Sequence, residues 1–250
     1  MSLFDLETIR VDFDAGIATL TLNRPEFGNR VDDRMHSELS TVWTQVRANK
    51  DIEAVILTGA GDWFCGGGDA SPSRRFETFT GLTPIEEAQA IIDGIVALDQ
   101  PLVAAVNGDA LGLGAILATI ADAGYIAPGA QIGDRHVAGG VTAGNGSAAL
   151  WPLLIGLNKS KQLLFEGELL SAEAAVDLGL ITAVAVDPLG AAQAQAERWC
   201  ALPTPALQTT KRALNVHLRD AVARVMPLAL ALEQQTLAKL IRPATPTPNN

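Results

Sequence analysis

The strongest constraint in this chain is a pair of apolar runs that each break into glycine. Ala54-Val55-Ile56-Leu57-Thr58 leads into Gly59-Ala60-Gly61-Asp62-Trp63-Phe64-Cys65-Gly66-Gly67-Gly68-Asp69. Leu102-Val103-Ala104-Ala105-Val106 leads into Asn107-Gly108-Asp109-Ala110-Leu111-Gly112-Leu113-Gly114. A short apolar run bounded by turn residues reads as a buried strand. Glycine lets a backbone approach a ligand without a Cβ in the way. A helix that starts near Leu113 leaves amide N–H groups unpaired. Two such turns facing each other aim two main-chain donors at one oxygen, the geometry that stabilises an enolate or a tetrahedral oxyanion. The alternative is two ordinary strand-to-helix turns in an α/β protein. Nucleotide loops fit poorly. Asp62-Trp63-Phe64 follows Gly59-Ala60-Gly61, so the third glycine of the dinucleotide fingerprint is missing, and no Gly-Lys-Ser or Gly-Lys-Thr occurs.

Composition limits the partners. The 250 residues suit one large domain, or one domain with a small lid. Charged residues make up 18%, below the usual share of about 25%, and hydrophobic residues 48%, which points to a well-buried, oligomeric protein. A net charge of −10 without a basic run argues against nucleic acid. Cys65 and Cys200 offer no disulfide framework. His36, His136 and His217 are scattered singly, so no metal site is expected. The opening residues show neither a basic region nor an apolar run, so no signal peptide is expected. No apolar stretch is long enough for a membrane span. A cytoplasmic enzyme is the expectation.

Along the chain, residues 8–12 and 17–22 alternate apolar and polar around Asp14-Ala15-Gly16, which predicts a hairpin. Asp32 or Asp33 caps a helix with Met35, Leu39, Val42, Trp43 and Val46 on its apolar face. His36, beside that face, reads as a helix-surface histidine. Residues 70–83 are polar and irregular, a candidate mobile loop over a substrate. Arg74 and Arg75 within it suit either a phosphate or a solvated turn. Helices are expected over 84–98, 112–121, 147–154, 159–166 and 171–178, with Ser171 capping the last of these. Short strands are expected at Tyr125-Ile126 and Gln131-Ile132. Helices over 188–201, 205–216 and 218–240 close the chain, with Pro227 bending the last. Residues 242–250 are expected to be a disordered tail.

Taken together, Phe64-Cys65-Gly66-Gly67-Gly68-Asp69 and Ala105-Val106-Asn107-Gly108-Asp109-Ala110-Leu111-Gly112-Leu113-Gly114 resemble the enoyl-CoA hydratase/isomerase family, the crotonase superfamily. The resemblance runs from near Ile9 to near Leu240. It takes in Thr19-Leu20-Thr21-Leu22-Asn23-Arg24-Pro25 and Gly167-Glu168-Leu169-Leu170-Ser171-Ala172-Glu173-Ala174-Ala175. It implies an α/β fold with a repeated ββα core over 1–190 and a C-terminal helical trimerisation region over 191–241. It implies a homotrimer or dimer of trimers. The implied substrate is a small molecule, an acyl-CoA, so coenzyme A enters as part of the substrate and no separate cofactor is needed. The implied oxyanion donors are the backbone N–H groups of Gly66 and Leu113. Leucine stands where the family usually has glycine; it keeps the N–H, but its side chain must find room. Trp63, Phe64, Gly67, Gly112 and Ile116 are the implied substrate-side positions, although Trp63 and Phe64 also read as core. Arg24, Arg74, Arg75 and Lys211 are candidate partners for the phosphates of coenzyme A.

Glycine turns hold an oxyanion but move no proton, so an acid/base side chain is needed. The typical hydratase uses two glutamates. Here Ile116 stands at the first position and His136 at the second, in Ile132-Gly133-Asp134-Arg135-His136. Histidine suits acid/base work because its unperturbed pKa of about 6.5 lies near neutrality. Asn145 can orient the ring or hold a water, and Asp134, two residues away, shares a face with His136 if the segment is a strand. A purely structural histidine is the alternative. The pattern also resembles, in part, a branch of β-diketone hydrolases that cleave a carbon–carbon bond without coenzyme A. Glu233 falls near an acidic position of that branch, or is an exposed helix carboxylate. Cys65 reads as small core filler or, with a base nearby, a nucleophile. Three functions therefore stand open: an acyl-CoA enzyme of hydratase, lyase or isomerase type, a β-diketone hydrolase, and a non-catalytic CoA-ester-binding member.

Overall fold

A computed structural model describes residues 4–69, 71 and 75–241. Arg74 and the tail expected at 242–250 lie outside the described residues. The hairpin forms as expected from β1 (Ile9–Asp14) and β2 (Ile17–Leu22). Next come α1 (Asp33–Ala48), β3 (Ala54–Gly59), β4 (Trp63–Cys65), α2 (Pro84–Val96), β5 (Leu102–Val106), β6 (Asp109–Leu111) and α3 (Leu113–Thr119). Then follow β7 (Ala123–Ile126), β8 (Gln131–Gly133), α4 (Ser147–Ile155), α5 (Leu157–Glu166), β9 (Leu170–Ser171), α6 (Ala172–Asp177) and β10 (Ala183–Val184). The chain closes with α7 (Pro188–Cys200) and α8 (Thr204–Ile241).

Two sheets result. The larger has the order β1-β2-β3-β5-β7-β10, parallel except for β1. The smaller has the order β4-β6-β8-β9, with β4, β6 and β8 parallel and β9 antiparallel. From each of β3, β5 and β7 the chain steps directly into β4, β6 or β8, so three successive strand pairs wind through both sheets. This is the repeated ββα plan expected from the sequence.

The larger sheet is covered on both faces, which is why its strands read as unbroken apolar runs rather than alternating ones. Val55 and Leu57 face the main core with Trp43, Leu39 and Ile92. Ala54, Ile56, Val103 and Ala105 face the other way, against Ala192 and Ala196 of α7. Small residues there let that helix lie close to the strands. A boundary at residue 190 therefore falls within the first turn of α7, a helix packed on the core sheet.

The local signals acted as their chemistry requires. The Asp32 carboxylate accepts from Met35 N–H and starts α1, and Ser171 Oγ accepts from Ala174 N–H at α6. Thr83 and Glu86 make a reciprocal capping box at α2. Three expectations change. The helices expected over 205–216 and 218–240 are one helix, α8, because Val216-His217 carries no breaker and Pro227 lies inside it. His36 is only 13% exposed, with Nδ1 2.8 Å from Oε2 of the fully buried Glu87. It is an interhelical clasp between α1 and α2. Lys211 is buried, with Nζ 2.6 Å from Asp122 Oδ2 and 2.8 Å from Gln100 O, so it staples α8 to the sheet and is not available to a phosphate. Lys211→Met should lower stability by roughly 1–3 kcal/mol by leaving those acceptors short of a donor. Urea unfolding checks this; an unchanged midpoint removes the staple from the account.

Candidate active site

The two glycine turns touch. β4 and β6 pair in parallel, with Trp63 opposite Asp109 and Cys65 opposite Ala110. A Cβ on Gly108 would lie 1.9 Å from Asp62 O, and one on Gly114 would lie 2.3 Å from Cys65 O. No side chain fits at either place, so glycine is what lets one turn rest on the other. A Cβ on Gly67 would be 2.8 Å from Leu111 O and 3.7 Å from Gly112 Cα. Two buried or half-buried amides brace the first turn. Asn29 donates to Ala60 O and Trp63 O at 2.9 and 2.7 Å and accepts from Arg24 N–H. Asn107 donates to Gly61 O at 2.8 Å and accepts from Gly59 N–H at 3.0 Å.

The first amide that the motif singled out is already engaged. Gly66 N–H donates to Gly28 O at 2.9 Å and is already engaged. Gly67 N–H points to Cys65 Sγ. Gly68 is exposed, and its N–H has no acceptor among the described residues. The peptide is pinned on both sides, because Val31 N–H donates to Gly67 O and Asp69 N–H to Val31 O. In the second turn Gly112 N–H is taken by Gly133 O at 2.9 Å, and α3 begins at Leu113. Leu113 N–H is thus one of the amides a helix start leaves without a partner. Its side chain finds its room in the core.

His136 reaches this place from a third segment. β8 ends at Gly133, so Asp134 and His136 meet in a loop rather than on a strand face. Asp134 is buried; its Oδ1 accepts from His136 N–H at 2.9 Å and lies 2.5 Å from His136 Nδ1. Ser147 Oγ, at the start of α4, donates to Asp134 Oδ2. An ionised carboxylate only accepts, so in the neutral ring Nδ1 carries the proton and Nε2 is the nitrogen with a free lone pair. Nε2 lies 3.4 Å from Asn145 Nδ2, and Asn145 Oδ1 is buried without a hydrogen-bond partner among the described residues. His136 Cε1 is 3.5 Å from where a Gly112 Cβ would stand. The imidazole therefore borders the second turn.

Electrostatics set the dyad's charge. Burial works against the imidazolium, but the Asp134 hydrogen bond, the Asp134 charge and the Glu233 charge outweigh it. His136 is held above its ordinary 6.5. Burial likewise opposes the Asp134 carboxylate, and the contacts of His136 and Ser147 overcome it, so Asp134 stays below the usual carboxylate range. Glu233 is a half-buried neighbour: a Cβ on Gly144 would meet its Oε2 at 2.5 Å. It is not the exposed helix carboxylate the sequence also allowed.

Other expected residues divide. Trp63 is half-exposed and lines a pocket of about 560 Å³ with Arg24, Phe27, Arg30, Asp69 and Ser71. Phe64 and Ile116 have no exposed surface and pack in the core, so neither forms pocket wall. Burial pushes the Cys65 thiol up to about 12, which leaves no thiolate to attack anything. Arg75 pairs at the surface with Glu77. No cluster of three or more metal-ligating side chains exists among the described residues, and none of their helices is long and apolar enough to cross a membrane. Asn29, Asn107 and Ser147 were missed by sequence reasoning; nothing in a single sequence marks an asparagine or serine that braces a distant turn.

The chain matches the family described as enoyl-CoA hydratase/isomerase over residues 12–244. It belongs to the enoyl-CoA hydratase/isomerase family. A probable enoyl-CoA hydratase of Mycobacterium tuberculosis is 31% identical over 236 residues, covering 93% of this chain and 88% of that protein. The 1,2-epoxyphenylacetyl-CoA isomerase of Escherichia coli is 33% identical over 216 residues, covering 84% and 82%. An enoyl-CoA hydratase/isomerase from Mycobacterium paratuberculosis has a crystal structure that superposes with a TM-score of 0.87 at 37% identity, covering 93% of this chain and 95% of that one. The family's enzymes thus share this chain's fold across nearly its whole length.

Proposed function

We propose that this enoyl-CoA hydratase/isomerase family enzyme acts on an acyl-CoA, holding the thioester oxygen between the N–H groups of Gly68 and Leu113 as it becomes an enolate. His136 Nε2 takes or returns the proton. Asp134 fixes the ring through Nδ1 and stabilises the imidazolium, while Ser147 fixes Asp134. The observation that carries this reading is the Asp134–His136 pair bordering Gly112, one residue before the second free amide. A single histidine can serve as base and then as acid on one substrate face, which fits hydratase, lyase or isomerase chemistry without the usual glutamates. Coenzyme A arrives as part of the substrate. The chain works as a homotrimer or dimer of trimers in the cytoplasm; the exposed Leu214, Leu228 and Leu240 of α8 favour such assembly, and sedimentation tests it.

A second reading, a β-diketone hydrolase that needs no coenzyme A, is favoured by the carboxylates of Asp134 and Glu233 around one imidazole. Calorimetry with acyl-CoA decides between them: heat on titration supports the first, whereas silence at millimolar ligand with turnover of a diketone supports the second.

The pH dependence follows from charge. A base must be neutral, and His136 sits above 6.5, so kcat/KM should rise with pH through a midpoint above 6.5. Glu233→Gln removes a raising influence and should move that midpoint down. A profile flat between pH 5 and 8 in both proteins would remove His136 as the base.

A further inference from the structure

Two arginines line the pocket beside the first turn, and they are in different states. Arg24 Nε is 3.2 Å from Asp32 Oδ2, and its Nη2 is 3.9 Å from Asp69 Oδ2. It also donates to Arg30 O and lies over the Phe27 ring. Its charge is compensated, and its work is to hold the loop after β2. The Arg30 guanidinium has no carboxylate or hydrogen-bond partner among the described residues. Its stem lies over Gly66, where a Cβ would come within 3.0 Å of Arg30 Cγ and 3.5 Å of Nε.

This gives Gly66 a role the donor assignment did not. Its N–H is bound to Gly28, so its value lies in the missing side chain, which lets Arg30 run along the turn. Two residues on is the N–H of Gly68, which has no acceptor among the described residues. The Arg30 cation, without a partner among the described residues, is thereby anchored over the first glycine turn and into the pocket beside it. In a chain of net charge −10, a local cation of this kind is what admits an anionic group.

Building on the acyl-CoA reading above, we infer that Arg30 sets substrate specificity by pairing with a carboxylate carried on the acyl part of the substrate. The phosphates of coenzyme A are the other anions available, but the pantetheine arm separates them from the thioester, whereas Arg30 is tethered over Gly66. A guanidinium fork matches a carboxylate with two parallel hydrogen bonds, and a lysine cannot reproduce that geometry.

The test is calorimetric titration with three probes: succinyl-CoA, butanoyl-CoA and free coenzyme A. The native protein should prefer succinyl-CoA over butanoyl-CoA by about tenfold or more. Arg30→Gln should erase that preference and leave the affinity for free coenzyme A unchanged. Arg30→Lys should recover only part of it. Gly66→Ala, which puts a methyl 3.0 Å from Arg30 Cγ and so displaces its side chain while keeping its charge, should also blunt the preference. Equal binding of the two thioesters by the native protein overturns the inference. So does an Arg30→Gln protein that loses affinity for all three probes alike, since the cation then serves the nucleotide phosphates. If the native protein binds none of the three, the acyl-CoA reading itself fails, and the inference with it; binding of all three without preference fells the inference alone.

Discussion

His136→Ala is expected to lower kcat by about 10²-fold or more on whichever acyl-CoA the protein turns over, with the fold intact by circular dichroism. The reasoning is local. Nε2 is the only unprotonated ring nitrogen in the neutral form, because Asp134 holds the proton on Nδ1 at 2.5 Å. Most of its neighbours cannot replace it: Ile116 is apolar and buried, Cys65 stays protonated and Asn145 carries an amide, which leaves the Glu233 carboxylate beside Gly144 as the one other proton acceptor named in this site. The amides of Gly68 and Leu113 survive the substitution, so if they form the proposed oxyanion hole a residual rate should remain. Asp134→Asn should fall in the same direction and also move the kcat/KM midpoint down, since it removes the charge that favours the imidazolium. A His136→Ala protein with native turnover would end the proposal that this ring moves the proton.

The second large effect is expected from Gly114→Ala. The new methyl would stand 2.3 Å from Cys65 O and 2.7 Å from Cys65 Cβ, in a part of the core with no accessible surface. Neither is the far end of a flexible side chain, so the two turns must separate. Overpacking of this kind costs typically 1–3 kcal/mol, about that much here, and more where backbone must yield. The separation also moves Leu113 N–H away from Gly68 N–H. Loss of one such donor typically costs roughly 2.7–4 kcal/mol of transition-state stabilisation, a factor of 10² to 10³ in kcat. Urea unfolding and steady-state kinetics read the two effects separately. A variant with unchanged stability and unchanged kcat would show that the turns do not rest on each other.

Much of the fold was legible because its signals are local or periodic. Unbroken apolar runs at Val55 and Val103 mark strands buried on both sides, and α7 and the main core do cover both faces. Asp32, Thr83 and Ser171 announce helix starts by offering an oxygen three residues before an unpaired amide. The continuity of α8 was missed because Pro227 and a weak apolar period left its midpoint unmarked, although no helix breaker stands at Val216-His217. In the site, His136, Asp134 and the second turn stood out because their spacing is short. The first donor did not. Which of three successive glycine amides has no acceptor among the described residues depends on Gly28 O, 38 residues earlier than Gly66, and on the Cys65 sulfur. Likewise the state of His36, Lys211 and Glu233 depends on partners contributed by distant elements, and a single sequence shows no such pairing.

The closing helix links two parts of the molecule that are far apart. At 38 residues it is roughly 57 Å long by the standard rise. One end is riveted through Lys211 to the strand layer; towards the other, Glu233 contributes to the proton affinity of the imidazole. Displacing that end would therefore carry the Glu233 charge away from the His136 imidazole, whose protonated form it helps to hold.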